Sequence, residues 1–324
     1  MFARICTAVA IMAAAQAGVF AQSAGDAWPS KPIRAIVPLG AGSATDIVPR
    51  IVFEQLSNQL GQPIIVENRP GAGTTIGTNA VAKADPDGYT LLATSSAYSV
   101  APSIQANLNY DPLNDLSPII TFVGLPNVFV ISPDKGFKTI QEFVAAARAK
   151  PGSITFASVG VGSGTHFNAE RFRHAAKFEA VHVPFKGGPE ALTEVMTGRV
   201  DFYFCPINTA LPFIREGKLV ALAMGTRTRS SLLPNVPTTI EAGYVNSNYE
   251  IWLGLLAPAK TPRAIIEKLH RETAKALLNP SVKEKLAKTG LEPLIMSTGE
   301  FAARIKSEIG ENAAIVKAAG ANPN

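Results

Sequence analysis

Two glycine-rich loops contain residue types and spacings that could bind an anion. The first spans residues 38–46 and the second residues 158–166, and each lies between a predicted strand and a predicted helix. Glycines let the backbone approach a ligand closely, and the free N–H groups at the start of a helix favour negative charge. Ser and Thr hydroxyls add donors. One such loop could equally be turn chemistry, whereas two in separate lobes favour a site at the carboxyl ends of strands.

A nucleotide site is the rival interpretation of the first loop. Residues 40–45 approximate G-x-G-x-x-G, but Thr45 replaces the third glycine and only Glu67 could serve as the acid after a second strand. The sequence contains neither G-x-x-x-x-G-K-[ST] nor H-E-x-x-H. Nucleotide hydrolysis and zinc proteolysis therefore have no motif to support them.

The histidines do not predict catalysis or metal binding. They are His166, His174, His182 and His270, and none has metal-ligand spacing to a cysteine or to another histidine on one helix turn. Ser163 precedes His166 by three residues, but G-x-S-x-G is absent. We interpret His166 as a helix-start residue near solvent or ligand. The sequence predicts no catalytic residue, no metal and no cofactor.

Two acidic residues have both a structural and a ligand-binding interpretation. Asp46 either stabilises the first turn of a helix or contacts the ligand, and the helix role is favoured because it needs no ligand. Asp201 lies at a predicted strand and could face the cleft. The aromatic residues 202–204 that follow it are more readily explained as core.

The N-terminus has the features of a secretory signal peptide. Arg4 is followed by an uncharged, Ala-rich stretch that ends near Val19, and Ala21 completes the small-residue cleavage pattern. We predict cleavage after Ala21 and a periplasmic protein, because the apolar stretch is too short to span a bilayer. A retained N-terminal anchor is the alternative. Only Cys205 follows the predicted cut, so the mature chain cannot form an internal disulfide.

Composition sets limits on the partners. The chain has 324 residues, 47% hydrophobic content and a formal net charge of +5, with acids and bases mixed throughout. Nucleic-acid binding would concentrate Lys and Arg in a run or stripe, and no such run is present, so we expect no nucleic-acid partner. The mild excess of positive charge suits an anionic ligand.

Strand and helix patterns alternate along the chain, which is typical of an α/β fold with mainly parallel sheets. Two extended stretches, 119–130 and 249–257, lie where the chain would cross between two lobes. We predict a signal peptide at 1–21, a discontinuous first lobe of 26–123 plus 249–324, and a second lobe of 124–248. Strands are predicted at 33–37, 64–67, 90–93, 128–132, 154–157, 181–183, 200–204 and 219–224.

Ordered motifs from Trp28 almost to Gly320 resemble the Bug-type solute receptors of tripartite tricarboxylate transporters. They include Asn68-Arg69-Pro70-Gly71, Asp85-Pro86-Asp87-Gly88 and His182-Val183-Pro184-Phe185. Further motifs lie at residues 31–34, 110–112, 233–238, 252–258 and 290–293. The family usually has an aromatic residue where this chain has Leu39, so ring surface beside the ligand is lost.

The resemblance implies a type II periplasmic-binding-protein fold, in which two α/β lobes are joined by two crossing strands with the ligand cleft between them. It also implies a carboxylate held by backbone N–H groups, hydroxyls and waters with few Arg contacts, and one large and one small membrane subunit as partners. Carried over by position, the ligand residues are Leu39, Gly40, Ala41, Gly42, Ser43, Thr45, Asp46, Thr94, Ser95, Ser96, Ala97, Ser158, Gly160, Gly162, Ser163, Gly164, Thr165, His166 and Asp201.

The sequence therefore predicts a non-enzymatic, monomeric receptor for a small organic acid, either a di- or tricarboxylate or an aromatic carboxylate. The alternative function is a periplasmic sensor that binds the same acid and docks on the ectodomain of a histidine kinase. Both functions need the same closed, liganded form.

Overall fold

The computed structural model describes residues 28–318, so the predicted signal peptide lies outside the described residues. The strands are β1 (Ile33–Val37), β2 (Ile64–Asn68), β3 (Thr90–Ser95), β4 (Leu116–Leu125), β5 (Asn127–Ile131), β6 (Ile154–Ser158), β7 (Ala180–Pro184), β8 (Phe202–Pro206), β9 (Val220–Met224), β10 (Ile251–Pro258) and β11 (Glu292–Pro293). The helices are α1 (Ala44–Leu60), α2 (Thr75–Ala82), α3 (Ala97–Ile104), α4 (Ile140–Ala149), α5 (Gly164–Ala175), α6 (Gly188–Met196), α7 (Ile207–Arg215), α8 (Arg263–Leu278), α9 (Pro280–Lys288) and α10 (Thr298–Ala318).

The strands form two mixed sheets. The first sheet has the order β11-β4-β10-β3-β1-β2, with β1 parallel to β2 and β3 and β10 antiparallel to β3 and β4. The second sheet has the order β7-β6-β8-β5-β9, with β6 parallel to β7 and β8 and β5 antiparallel to β8 and β9. Because β1 and β3 run parallel to each other, the loops after them lie at the same edge of the first sheet, and the loop after β6 lies at the corresponding edge of its parallel group in the second sheet.

The chain passes between the sheets twice, and the two passages lie side by side. Only Pro126 separates β4 from β5, and the return passage connects β9 with β10. The Gly225 N–H donates to Asn127 O at 2.8 Å, and the Tyr249 N–H donates to Gly225 O at 2.8 Å. The predicted type II fold, with two α/β lobes and two crossing segments, is confirmed. The residue boundaries of the lobes stay a prediction.

Each sheet is covered by helices that bury a separate core. In the first sheet, Phe53 of α1 packs edge-on against Phe122 of β4 with ring centroids 5.8 Å apart. In the second, Phe129 stacks on Phe202 at 4.6 Å and meets Phe204 edge-on at 5.2 Å. Each buried Phe contributes about 1.5–3 kcal/mol of hydrophobic stabilisation. The aromatic residues after Asp201 are therefore core, as the sequence predicted.

Among residues 28–318, no helix combines the length and hydrophobicity that a bilayer crossing would require.

Candidate functional site

The first predicted ligand loop, residues 38–46, which we call the first ligand loop below, is shaped by a left-handed glycine and a helix start. Gly42 has φ +80°, and Ser43 is the N-cap of α1 with φ −71° and ψ 160°. The Ser43 N–H donates to Gly40 O at 3.4 Å, and the Gly42 N–H donates to Asp46 Oδ2 at 2.9 Å. The first-turn N–H groups of Ala44 and Thr45 have no acceptor within the helix.

The second ligand loop, residues 158–166, repeats this geometry. Gly162 has φ +78°, and Ser163 is the N-cap of α5 with φ −69° and ψ 157°. The Ser163 N–H donates to Gly160 O at 3.2 Å, and the Gly162 N–H donates to His166 Nδ1 at 3.2 Å. The two loops thus present equivalent helix starts, each at the carboxyl end of a strand. Both are anion-binding geometries.

Both carboxylate oxygens of Asp46 accept hydrogen bonds from groups that hold the first loop. Asp46 accepts hydrogen bonds from Arg50 Nε at 2.8 Å and Asn68 Nδ2 at 3.0 Å in addition to Gly42. Asn68 Nδ2 also donates to Leu39 O at 3.0 Å. Burial raises the pKa of Asp46, but the hydrogen bonds from Gly42, Asn68 and Arg50 outweigh it and leave the pKa below its usual range. Asp46 is therefore charged, paired and structural, which favours the helix-start interpretation.

The second loop carries no acid at the equivalent place. Burial, with a smaller contribution from the charge of Arg173, lowers the pKa of His166 to about 4, so this ring is neutral at pH 7. The first turn of α5 contains no acidic residue. The field at this helix start is therefore more favourable to an anion than the field at the start of α1.

The hydroxyls of the two loops differ in availability. Ser163 Oγ donates to Gly160 O at 2.7 Å and accepts from the His166 N–H, and Thr165 Oγ1 accepts from the Val159 N–H at 3.2 Å. In contrast, Ser43 Oγ caps nothing, and within residues 28–318 it is buried without a hydrogen-bond partner. The hydroxyls of Ser163 and Thr165 thus bond the backbone of their own loop, whereas the hydroxyl of Ser43 makes no hydrogen bond within the described residues.

The third predicted segment, residues 94–97, lies beside the first loop. Thr94 and Ser95 end β3, the neighbour of β1, and Ser96 and Ala97 begin α3. Thr94 Oγ1 is buried without a hydrogen-bond partner in the described part of the chain. Ser95 Oγ accepts from the Ala97 N–H at 3.4 Å, and the Ser96 N–H donates to Trp252 O at 3.0 Å. Thr94 therefore joins Ser43 as a side chain with an unused donor.

Helix α3 connects this edge of the first sheet to the second loop. A methyl group at Gly162 would lie 2.7 Å from Cδ1 of Ile104, the last residue of α3. Val100 of α3 packs with Phe167 of α5 and with Tyr249 in one apolar cluster. Within residues 28–318, no hydrogen bond joins the first loop directly to the second. Helix α3, which follows the third segment, therefore contacts both the second loop and α5.

Asp201 lies apart from the two loops, so the structure gives no support to its predicted role as a ligand residue. Its carboxylate pairs with Lys135 Nζ at 2.5 Å and accepts from the Thr155 N–H at 2.8 Å. Asp201 precedes β8, and Thr155 lies three residues before Ser158 on the parallel strand β6. Asp201 is therefore at the amino end of its strand, about 10 Å from the edge that carries the second loop.

Sequence reasoning missed three side chains that hold the loops, two of them on neighbouring strands and one on α1. Asn68 and Arg50 brace the first loop, and His182 of β7 contacts Ser158 in the second. Asn68 and His182 fall in motifs that carried the family resemblance, but neither was assigned a role. The role of Asn68 could have been inferred from its position at the carboxyl end of the strand that pairs with β1. Leu39, the departure from the family pattern, is half-buried against the core of the first sheet.

Cavities near the crossing segments lie apart from the loops. One of about 320 Å³ is bordered by Arg171, Arg304, Glu250 and Glu311. Arg171 pairs with Glu311 at 2.6 Å, and Arg304 lies 3.5 Å from Glu250. Because these charges already neutralise one another, the cavity has little net preference for an ion.

Two α/β lobes, two crossing segments and paired helix starts define a solute-binding protein of the two-lobe periplasmic class. The sequence profile described as "Tripartite tricarboxylate transporter family receptor" matches residues 48–321. The chain belongs to this family, whose receptors are periplasmic, and the resemblance to Bug-type receptors is confirmed.

Relatives with known names cover nearly the whole chain. Protein BugT of Bordetella pertussis is 35% identical over 309 residues, covering 95% of each chain. The structure "R. palustris Rpa4515 with adipate" is 28% identical with a TM-score of 0.77, covering 92% of this chain and 100% of that one. The structure of MatC (Rpa3494) from Rhodopseudomonas palustris with bound malate is 29% identical with a TM-score of 0.74, covering 89% and 100%.

Proposed function

We propose that the protein captures a small organic acid between its two ligand loops and delivers it to a membrane transporter of the tripartite tricarboxylate type. The observation that best supports this proposal is the repeated loop geometry, in which Gly42 and Gly162 each precede a helix start with free N–H groups. A clamp that draws donors from both lobes binds the closed form preferentially and so drives closure. Adipate and malate, the acids bound by two relatives, support a carboxylate as the ligand.

The proposed contacts divide into donors and supports. Backbone N–H groups at the starts of α1 and α5, together with the hydroxyls of Ser43 and Thr94, bind the acid. The proposed site comprises Leu39, Gly40, Ala41, Gly42, Ser43, Thr45, Thr94, Ser95, Ser96, Ala97, Ser158, Gly160, Gly162, Ser163, Gly164, Thr165 and His166. Asp46 supports the first loop without touching the ligand, because its oxygens are already bonded. Export precedes this function, with the signal peptide removed after Ala21.

A thermal-shift panel tests the proposal. It includes adipate, malate, citrate and aromatic carboxylates, with the corresponding neutral amides as controls. An acid at a hundredfold excess over its Kd adds about 2.7 kcal/mol to the free energy of unfolding. We expect at least one acid to raise Tm while its amide does not. If no acid raises Tm, or if amides do so equally, the carboxylate assignment is wrong.

The membrane partner needs a separate experiment, because transport and sensing both use the closed, liganded form. We expect the purified protein with its acid to be retained by the large and small membrane subunits in detergent. Retention by a histidine-kinase ectodomain instead would favour the sensor function.

A further inference from the structure

We propose that His182 of β7 is a positioning residue: with His166 it forms a neutral pair that holds the second ligand loop, so that binding weakens when the pair is protonated. The inference rests on the proposed function of that loop. His182 lies outside the predicted ligand residues, 16 positions after His166.

The imidazole rings of His166 and His182 stack on each other. The two imidazole rings lie 4.0 Å apart between centroids, with 20° between their planes. Phe156 of β6 stacks on His182 at 4.9 Å and lies 6.0 Å from His166, again with nearly parallel planes. Since Phe156 also packs on Phe202 at 5.5 Å, the pair is anchored to the aromatic core of the second lobe.

Each ring bonds a different part of the loop. His182 Nε2 lies 2.6 Å from Ser158 Oγ, and that hydroxyl accepts from the Gly160 N–H at 3.0 Å. His166 Nδ1 accepts from the Gly162 N–H at 3.2 Å. The two histidines together therefore fix the backbone at both glycines that shape the loop.

The hydrogen bond at Gly162 requires a neutral His166 ring, whereas the contact between His182 Nε2 and Ser158 Oγ is compatible with a neutral or a protonated His182. An N–H donor at Gly162 demands an unprotonated Nδ1 on His166, so a proton there replaces a hydrogen bond with a repulsive contact. Two stacked imidazolium ions 4.0 Å apart also repel each other. Protonation therefore loosens the loop at Gly162 first.

The surroundings keep the pair neutral at pH 7. Burial lowers the pKa of both His166 and His182 to about 4. The charge of Arg173 lowers the pKa of His166 further, His166 lowers that of His182, and Glu170 opposes the shift at His182. Glu170 and Arg173 lie on α5 and pair with each other at 2.6 Å, so their opposing fields largely cancel.

Two substitutions separate the hydrogen bond from the ring. His182→Phe keeps a stacking ring but removes the partner of Ser158, whereas His182→Gln keeps a polar partner that does not titrate. We expect H182F to weaken the Kd for the panel's best acid at pH 7 by about two- to tenfold, the range of one neutral hydrogen bond. H182Q should stay close to wild type, and so should the control His174→Gln, which changes an exposed histidine on α5, the helix that carries His166.

A pH profile supplies a readout that a merely structural role would not move. Calorimetric Kd values for wild type and His166→Asn/His182→Gln are measured from pH 7 to pH 4, each relative to its own value at pH 7. The ratio of the two profiles cancels the titration of the acid itself. At pH 4 wild type should lose about two- to fourfold more affinity than the double variant, since each half-protonated histidine contributes a factor of about two. Parallel profiles would overturn the inference.

Hydrogen exchange of peptide 158–166 in ligand-free protein separates this inference from the proposed function. We expect faster exchange in H182F than in wild type or H182Q, with circular dichroism confirming that all three are folded. If that difference appears while no acid binds, the proposed function fails and the positioning role stands. If acids bind but H182F matches wild type in Kd and in exchange, the positioning role fails alone.

Discussion

Asp46 and His166 occupy equivalent places in the two ligand loops, and each side chain accepts a hydrogen bond from the glycine N–H four residues earlier. The same position is thus filled by a charged carboxylate in one lobe and by a neutral imidazole in the other. The carboxylate requires Arg50 as a counter-ion, whereas the imidazole is held by stacking on His182. The two loops therefore share one backbone geometry, although the side chain that accepts the glycine N–H is charged in the first loop and neutral in the second.

Replacing the carboxylate should therefore cost more than replacing the imidazole. Asp46→Asn keeps an acceptor for Gly42 but leaves Arg50 and Asn68 without a charged partner. We expect a loss of about 1–3 kcal/mol in the free energy of unfolding in urea, because hydrogen bonds to a buried charged group are broken. His166→Asn, the matched change in the second loop, should cost less.

The pH dependence gives this comparison a second readout. The pKa of Asp46 is lowered in the folded protein, so its contribution is present above its ordinary pKa and is lost as the pH falls through the folded pKa. The stability difference between wild type and D46N should be constant from pH 7 to about pH 5 and shrink below pH 4. A difference that stays constant to pH 3 would contradict the assignment.

The two left-handed glycines provide a matched pair for testing lobe contact. A methyl group at Gly42 would meet no atom within 4 Å, whereas one at Gly162 would lie 2.7 Å from Ile104. Both glycines have φ near +80°, so Gly42→Ala and Gly162→Ala share a backbone cost of about 1 kcal/mol. We expect G162A to weaken acid binding further than G42A, and Ile104→Ala to restore part of that loss. Equal effects without rescue would mean that α3 does not press on the second loop.

An ion pair between α5 and α10 should favour the closed form slightly. Arg171 Nη1 lies 2.6 Å from Glu311 Oε2, and the two helices belong to the predicted second and first lobes. Glu311→Gln should weaken the Kd by no more than about fivefold, as expected for a partly exposed pair. The effect should vanish in 0.5 M salt, roughly where screening shortens to a few ångströms.

The control is an ion pair that stays within one lobe. Arg199 Nε lies 2.5 Å from Glu194 Oε2 at the end of α6, and Glu194→Gln should leave the Kd unchanged at both salt concentrations. If both variants weaken binding equally, the effect is not one of closure.

Export predicts a defined mature terminus. Small residues at Val19 and Ala21 flank the predicted cut, so intact mass measurement of protein from periplasmic extract should give Gln22 as the first residue. Membrane-bound protein that begins at Met1 would support the retained anchor instead.

The sequence located the strands and loops well, because the patterns that mark them involve residues that are close together in the chain. β1 begins and ends where the Ile- and Val-containing segment between Pro32 and Pro38 predicted. Ser297 lies three residues before Glu300, which is the spacing of a capping box, and the two residues bond reciprocally, with the Ser297 N–H donating to Glu300 Oε2 at 2.9 Å. Ser281 and Glu284 have the same spacing, but Ser281 does not cap a helix, because Asn279 is the N-cap of α9 and Pro280 is its first residue.

The details of the site could not be predicted because they depend on strand pairing. Asn68 meets Asp46 from 22 residues away, and His182 meets Ser158 from 24 residues away, only because β2 and β7 pair with β1 and β6. The position of Asp201 was missed for the same reason. The sequence does not show which end of a strand carries the ligand edge until the pairing of that strand is known. The ion pair between Asp201 and Lys135 is likewise visible only in the folded structure.

Calorimetric titration of Ser43→Ala and Thr165→Ala tests most directly whether one acid is held from both lobes. Ser43 offers an unused hydroxyl in the first loop, and Thr165 Oγ1 holds the Val159 N–H in the second. Each change should weaken the Kd by about two- to tenfold. The exposed Ser153→Ala should not change it, and circular dichroism should show all three variants folded. If Ser43→Ala and Thr165→Ala both leave the Kd unchanged in folded protein, the two loops are turns only and the ligand binds elsewhere.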